Sequence, residues 1–337
     1  WKSLGGTGEV IGFMVFWALN LWVVIRGAES IKWLETLSAP LLVLVGVGLL
    51  VWAMPNVSMT ELMAIPAKRP EGASVVSYFA AGLTAMVGFW ATLSLNIPDF
   101  SRYAKSQKDQ IVGQIIGLPL TMFLFAALGV VMTAASVKLV GVTVSDPVTL
   151  IGHIQSPVWV ALAMALIIIA TLSTNTAANI VSPTNDFQNI APKVINRTKA
   201  VLLTGVVGLV LMAHELLKKL GLIVSDVSLE TVYSNWLLGY SSLLGPIAGI
   251  MVVDYFLIRK QQLDLAGLYR DDVYPAWNWF GFIAFGVPVA LTLLSLGSDA
   301  FSWFYSYGWF TGSALGGLIY YGLCSMRPDP SVAKSAV

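Results

Sequence analysis

Between Pro157 and Pro183 the chain reads PVWVALAMALIIIATLSTNTAANIVSP. The opening WVALAMALIII is a lipid-soluble helix, and the second half of the stretch turns polar without turning charged. From Ala170 to Asn179 it carries Thr171, Ser173, Thr174, Asn175, Thr176 and Asn179. Hydroxyl and amide groups at a depth without water must find partners, because each costs free energy when left unpaired. Those partners are either other helices or a cargo.

The rest of the composition agrees with a chain that lives in a bilayer. Hydrophobic residues make up 57% of it and charged ones 11%, and the mean hydropathy is +0.78. Ordinary soluble domains carry about 25% charge. With about 20 apolar residues to a span, the length leaves room for roughly eight to ten helices. Its 15 prolines and 30 glycines suit membrane helices better than a barrel. A net charge of +1 gives no footprint for nucleic acid. The lone cysteine, Cys324, excludes an internal disulfide and a cysteine metal cluster. The chain opens at Trp1 without Met or a cleavable signal, which leads to the expectation of a piece of a longer protein.

Nine apolar segments are expected, approximately Glu9 to Ile25, Ile31 to Met54, Val75 to Pro98, Ile111 to Leu139, Pro157 to Ser182, Ala200 to Ala213, Val232 to Ile258, Trp277 to Leu296 and Phe301 to Ser325. Pro119, Pro246 and Pro288 fall inside them, where a missing N–H kinks a helix. The sixth is short and runs into His214, Glu215, Lys218 and Lys219, so an amphipathic turn should continue it. Counted on alternate sides, thirteen Lys and Arg fall on one side, among them Arg26, Lys105, Arg259, Arg327 and Lys334, and six on the other: Lys2, Lys68, Arg69, Lys138, Lys218 and Lys219. The positive-inside rule makes the first side, with the carboxyl terminus, cytoplasmic. No loop is long enough to fold alone, so residues 1–337 are expected to form one transmembrane domain.

Function must then sit among the helices. The third segment, SYFAAGLTAMVGFWATLSLNIPDF, changes character midway. Gly88, beside Phe89 and Trp90, leaves backbone free to bend, and transporters place substrate sites at such interruptions. Close helix packing at Gly88, with Trp90 an ordinary core residue, is the other reading. In the fifth segment Ala170, Ser173 and Thr174 share one helix face. One carbonyl and two hydroxyls suit a monovalent cation, although Ser and Thr in membrane helices also bond back to carbonyls one turn earlier. Asn179 lies about 7.5 Å further along the axis and off that face.

No ionisable group interrupts Pro157 to Pro183, whereas proton-driven carriers use an intramembrane carboxylate or histidine. Among acids near the spans are Glu9, Glu35 and Asp254. Asp254 should pair with Arg259 at a helix end, and Glu35 with Arg26 or Lys32. Gly113 with Gly117, and Gly312 with Gly316, read as helix-packing surfaces. Gly239, Gly245 and Gly249 around Pro246 make the seventh segment a candidate gate or a kinked packing helix. No P-loop, zinc site, nucleophile elbow or paired carboxylate gives an enzyme a home.

The blocks GFWATLSLNIPDFSRYAKSQKDQIVGQ, ATLSTNTAANIVSPTNDF and LLGPIAGIMVVDYFLIRK resemble the first nucleobase–cation symporter family, and within it the bacterial allantoin and hydantoin branch. The resemblance implies a leucine-transporter-like fold of twelve helices, with two inverted five-helix repeats and two extra helices. Nine of the twelve would be present, as the fourth to the twelfth. It further implies that Ala170, Ser173 and Thr174 supply half of a sodium site. Asn179 would bond the amide edge of the heterocycle, and Gly88 and Trp90 would form the aromatic wall. Phe89, between that glycine and tryptophan, departs from members in which the two are adjacent, and joins the candidate substrate contacts.

The expected activity is sodium-coupled import of a small neutral nitrogen heterocycle such as allantoin, hydantoin, uracil or cytosine, by alternating access across the cell membrane. The expected partners are that substrate, the sodium ion and the bilayer, with no prosthetic group, no nucleic acid and a monomeric state. The rivals are a proton-coupled carrier of the same fold and a channel or non-transporting membrane subunit.

Overall fold

The computed structural model describes residues 5–54, 58, 60–61, 64, 74–144, 146–224, 229–270, 273–275, 277–298 and 301–326. The charges expected at Lys2, Lys68, Arg69, Arg327 and Lys334 lie outside those residues. The described residues are helical and loop, with no strand among them. In chain order the principal helices are α1 (Gly5–Arg26), α2 (Ala28–Ala53), α3 (Val75–Trp90), α4 (Thr121–Val140), α5 (Pro157–Asn175), α6 (Ser182–Ile190), α7 (Arg197–Leu211), α8 (Ala213–Lys219), α9 (Leu229–Val253), α10 (Trp279–Ser295) and α11 (Gly308–Met326). Each of the nine expected apolar segments coincides in large part with one of them. Six helical stretches are long and apolar enough to cross a membrane, and α7 with α8, bent by 59°, makes a seventh if counted as one span. The bend supplies the amphipathic turn expected after the short sixth segment. α10 falls short at 17 residues, about 25 Å against a hydrocarbon core of about 30 Å.

Two compact units share the chain. The first combines residues 1–67 with 99–225. In it Leu21 and Val24 of α1, Ile180 and Val201 of α7 form one buried cluster, flanked by Trp17 and Val181. The Trp17 indole N–H donates to the Gly205 carbonyl at 3.1 Å, and Arg197 Nε donates to the Val24 carbonyl at 3.1 Å. A second cluster, Met132, Ala135 and Leu150, seats α4 and the short helix Pro147–Ile151. Asp146 caps that helix, accepting from the N–H groups of Val148 and Thr149. Within the first unit two wide π turns interrupt the α pattern, Ile116–Leu120 around Pro119 and Thr176–Val181 at the end of α5. A turn of this kind holds one residue more than an α turn and changes which face the following side chains occupy. The predicted kink at Pro119 thus takes the form of a wide turn.

The second unit combines residues 68–98 with 226–337. Its dominant contact is α9 against α11, and small residues set its closeness. A β-carbon at Gly249 would lie 1.9 Å from the Ser313 carbonyl oxygen, and one at Gly316 would lie 2.9 Å from Pro246 Cα. Backbone therefore touches backbone, as small-residue stripes allow. Gly312 also packs on Pro246, so the expected Gly312 to Gly316 surface is present. Gly113 and Gly117 behave differently. A β-carbon at either meets nothing within 4 Å, so the packing surface predicted there is not used among the described residues.

At the end of α9 Arg259 Nε meets Asp254 Oδ2 at 2.6 Å, the ion pair expected from the sequence. The Tyr320 hydroxyl donates to the other Asp254 oxygen at 2.9 Å.

Candidate functional site

The polar half of the Pro157 to Pro183 stretch lies in the first unit and is built by the junction of α5 with its π turn. Ala170 and Ser173 are 3% and 5% exposed, and Thr174 is open. Elsewhere the hydroxyls of Ser38, Thr204 and Thr292 donate to carbonyls four residues earlier. That is how such groups are usually satisfied in apolar helices. Neither Ser173 nor Thr174 does this, and neither hydroxyl has a hydrogen-bond partner among the described residues. The two oxygens remain available on the face they share with Ala170.

Ala170 and Thr174 of that face, with Thr171, border a mostly apolar cleft of about 420 Å³ lined also by Gly46, Phe125 and Met132, while Ser173 does not line it. Asp146 also lines it. Burial pushes the Asp146 carboxyl up, but bonds from the Thr149 hydroxyl and the Thr149 and Val148 N–H groups outweigh it, and the pKa lies below the usual carboxylate value. An ionised carboxylate therefore stands at the rim of the cleft. Sequence reading missed it, since Asp146 lies in a loop next to Pro147 and reads there as a helix cap. Among the described residues no three His, Cys, Asp or Glu side chains gather as a metal site.

One turn on, side-chain amides take over. Asn20, in the middle of α1 and 1% exposed, accepts from Asn175 Nδ2 at 3.0 Å and from the Thr176 hydroxyl at 3.1 Å. Asn175 Oδ1 in turn accepts from Asn179 Nδ2 at 2.7 Å. Asn179 itself is exposed. The sequence signal for Asn20 is plain afterwards: a single amide inside the apolar run FWALNLWVV.

The aromatic candidates lie in the second unit. α3 ends at Trp90, a turn occupies residues 91–92, and a short helix Leu93–Asn96 resumes the same span. The interruption expected at Gly88 is thus shifted by about one turn, and the Ala91 N–H bonds the Gly88 carbonyl at 3.2 Å. Gly88 is where α3 meets α9. A β-carbon there would lie 2.5 Å from Ser241 Oγ, and the Tyr240 hydroxyl donates to the Gly88 carbonyl. Gly88 therefore packs closely on α9, as one of its two readings expects. Phe89 and Trp90 form an edge-on pair with centroids 5.2 Å apart. Phe89 is exposed, and the half-buried Trp90 keeps a buried indole N–H without an acceptor among the described residues.

A second cleft of about 490 Å³ in the first unit mixes apolar side chains such as Ile31, Phe100 and Val181 with the charged groups of Glu29, Lys32, Glu35, Asp99, Arg102 and Arg197. Asp99 is held there by Asn185 Nδ2 at 2.8 Å and by Arg102 at 3.6 Å. The pairing expected of Glu35 with Arg26 or Lys32 is absent. Glu35 faces this cleft, and Arg26 instead stacks on Trp22 at 4.9 Å.

Comparison with known proteins places these features. Residues 2–320 match a family model described as permease for cytosine/purines, uracil, thiamine, allantoin. The purine-uracil permease of Arabidopsis thaliana is 40% identical over 84% of this chain, which spans 45% of that protein's length. The allantoin permease of Bacillus subtilis is 35% identical over all of this chain and 69% of its own length. A solved structure of Mhp1, a nucleobase-cation-symport-1 family transporter in a closed conformation with bromovinylhydantoin bound, superposes with a TM-score of 0.72 at 25% identity, covering 96% of this chain and 69% of that one. The chain is therefore all-α with the fold of that transporter, as expected, and the matched relatives are permeases rather than enzymes.

Proposed function

Because the chain belongs to the family of permeases for cytosine and purines, uracil, thiamine and allantoin, we propose that the protein imports a small neutral nitrogen heterocycle together with sodium by alternating access. Ala170, Ser173 and Thr174 supply carbonyl and hydroxyl oxygens to the ion. Asn179 hydrogen-bonds the heterocycle, and Phe89 and Trp90 are the candidate aromatic contacts. The protein works in the cell membrane as a monomer with a cytoplasmic carboxyl terminus. For ion and substrate to be coupled, both must prefer the same conformation.

The observation that supports the ion assignment best is the pair of unpartnered hydroxyls at Ser173 and Thr174. Hydroxyls that do not bond back to their own helix keep their lone pairs for a cation. The test uses the full-length protein in proteoliposomes. Labelled allantoin, hydantoin, uracil and cytosine are offered with and without a sodium gradient, and each is used to displace the others. Saturable uptake with counterflow, stimulated by sodium, is the expected result. Unsaturable flux would instead identify a channel, and no flux a non-transporting subunit.

One observation favours proton coupling as the second reading: Glu35 stands within the α2 span and lines a cleft that also holds Lys32, Asp99 and Arg102, with no ion-pair partner among the described residues. Under that reading a pH gradient drives uptake in sodium-free buffer, and Glu35→Gln abolishes it.

A further inference from the structure

The side chain of an asparagine can be reversed end for end, and reversal turns an acceptor site into a donor site. In the first unit one backbone carbonyl settles the direction of three amides. Asn20 Nδ2 donates to the Phe16 carbonyl at 2.7 Å. A carbonyl only accepts, so Asn20 must point its nitrogen there and its oxygen at the π turn. That oxygen receives Asn175 Nδ2 at 3.0 Å and the Thr176 hydroxyl at 3.1 Å. Asn175 must then present its own oxygen on the far side, where it receives Asn179 Nδ2 at 2.7 Å. The direction is thus passed from a buried carbonyl on α1 to an exposed amide on another helix. What Asn179 has left to offer is its oxygen, together with the second hydrogen of its nitrogen.

We propose that Asn20 is a positioning residue: through Asn175 it fixes the Asn179 amide with its oxygen free, so that the site selects a ring presenting N–H at that edge. This rests on the reading of Asn179 as a substrate contact. Were the amide reversed, the free end would be the NH₂ group, its oxygen keeping only one lone pair beside the Asn175 bond, and the same pocket would prefer a ring nitrogen or carbonyl there. The relay makes the choice without adding a charge to the membrane. Asn20 never meets the cargo; the Leu21, Val24, Ile180 and Val201 cluster beside it holds the π turn against α1, and the amides supply direction.

The experiment compares uptake of hydantoin with that of 1-methylhydantoin and 3-methylhydantoin by the full-length protein. One methyl isomer blocks the recognised N–H, and the unsubstituted protein should prefer hydantoin to it by about tenfold, the worth of one neutral hydrogen bond. In Asn20→Leu the amide chain loses its direction and the ratio falls toward one. Asn20→Asp, kept protonated by burial, has one donor and one acceptor in the same places and restores the ratio. A variant that merely loses folded protein lowers both uptakes and leaves their ratio alone. Should Asn20→Leu fail to fold, Asn175→Leu releases Asn179 without touching α1 and gives the same fall. A ratio unchanged in these variants overturns the proposal. If the unsubstituted protein moves neither hydantoin, allantoin nor uracil, the transport reading itself fails. The relay is then read from the side-chain amide signal of isotope-labelled Asn179, where no change in Asn20→Leu overturns it.

Discussion

The end of α5 and the α9–α11 pair meet one difficulty, polar chain in an apolar medium, in opposite ways. Along α9 and α11 the contact is between backbones, and the side chains that matter are those that are missing: Gly245 and Gly249 on one helix, Gly312 and Gly316 on the other. At the end of α5 the contact is between side chains, with Asn20, Asn175, Thr176 and Asn179 pairing donor to acceptor. The first arrangement is held by shape and tolerates no added atom. The second is held by chemistry and tolerates changes of size better than changes of polarity. The polar arrangement can also exchange a protein partner for a cargo, which a backbone contact cannot do.

The sharpest way to break the comparison is to add atoms on the shape side. Gly249→Val puts carbon where the Ser313 carbonyl oxygen already stands at 1.9 Å. The expected cost is at least about 3 kcal/mol, the upper end for overpacking. Loss of monodisperse protein in detergent checks it, and a variant as stable as the original would show that the helices can part freely.

The chemistry side is tested by Ser173→Ala combined with Thr174→Ala, which removes both hydroxyls and little volume. Folded yield should stay, while stimulation of uptake by sodium disappears. Uptake equally sodium-dependent in the double variant would detach the ion from this face.

A smaller effect is expected at the rim. Asp146→Ala removes the cap of Pro147–Ile151 and should cost about 1 kcal/mol in thermal unfolding. Its pKa is lowered in the folded protein, so its contribution is present above the unfolded carboxylate value and lost as pH falls through the folded one. Original and variant should therefore converge in stability under acid, and parallel curves down to the lowest pH would contradict the assignment.

The smallest change is expected where a glycine touches nothing. Gly113→Ala adds a methyl group to open space and should stabilise by about 0.5 to 1 kcal/mol through helix propensity, visible as a slight rise in melting temperature. A fall instead would reveal a neighbour for that helix face.

These contrasts also explain what could be read from the sequence. Apolar length located nine of the eleven principal helices, because the bilayer demands it of any spanning segment, while the polar α6 and the amphipathic α8 carry no such signal. The Asp254–Arg259 pair was legible because its partners are five residues apart at a helix end. Asn20 was not: its meaning depends on Asn175 and Thr176, 155 and 156 residues away. Neither was the use of Gly88, whose neighbours Leu237 and Ser241 come from a distant helix. Small-xxx-small spacing reads the same at Gly113 and Gly117 as at Gly312 and Gly316, yet among the described residues only the second pair faces a neighbour. A spacing rule records that a helix could pack closely, and only the fold supplies something to pack against. The open hydroxyls of Ser173 and Thr174 were visible as residue types, but whether they would bond back to their own helix was a matter of rotamer.

The wide turn Thr176–Val181 carries a consequence for length. A π turn is an α-helix with one residue inserted, and each residue in a helix is worth about 100° of rotation. Deleting Ala177 or Ala178 would remove the extra residue and leave α6 facing as it does, whereas closing the wide turn with every residue kept would swing everything beyond it by that angle. Asn185, which now reaches Asp99 at 2.8 Å, would face elsewhere. The extra residue thus acts as a phase setter, letting one helix address the Asn20 amide at one level and Asp99 at another, two directions that a regular helix of this sequence would not align.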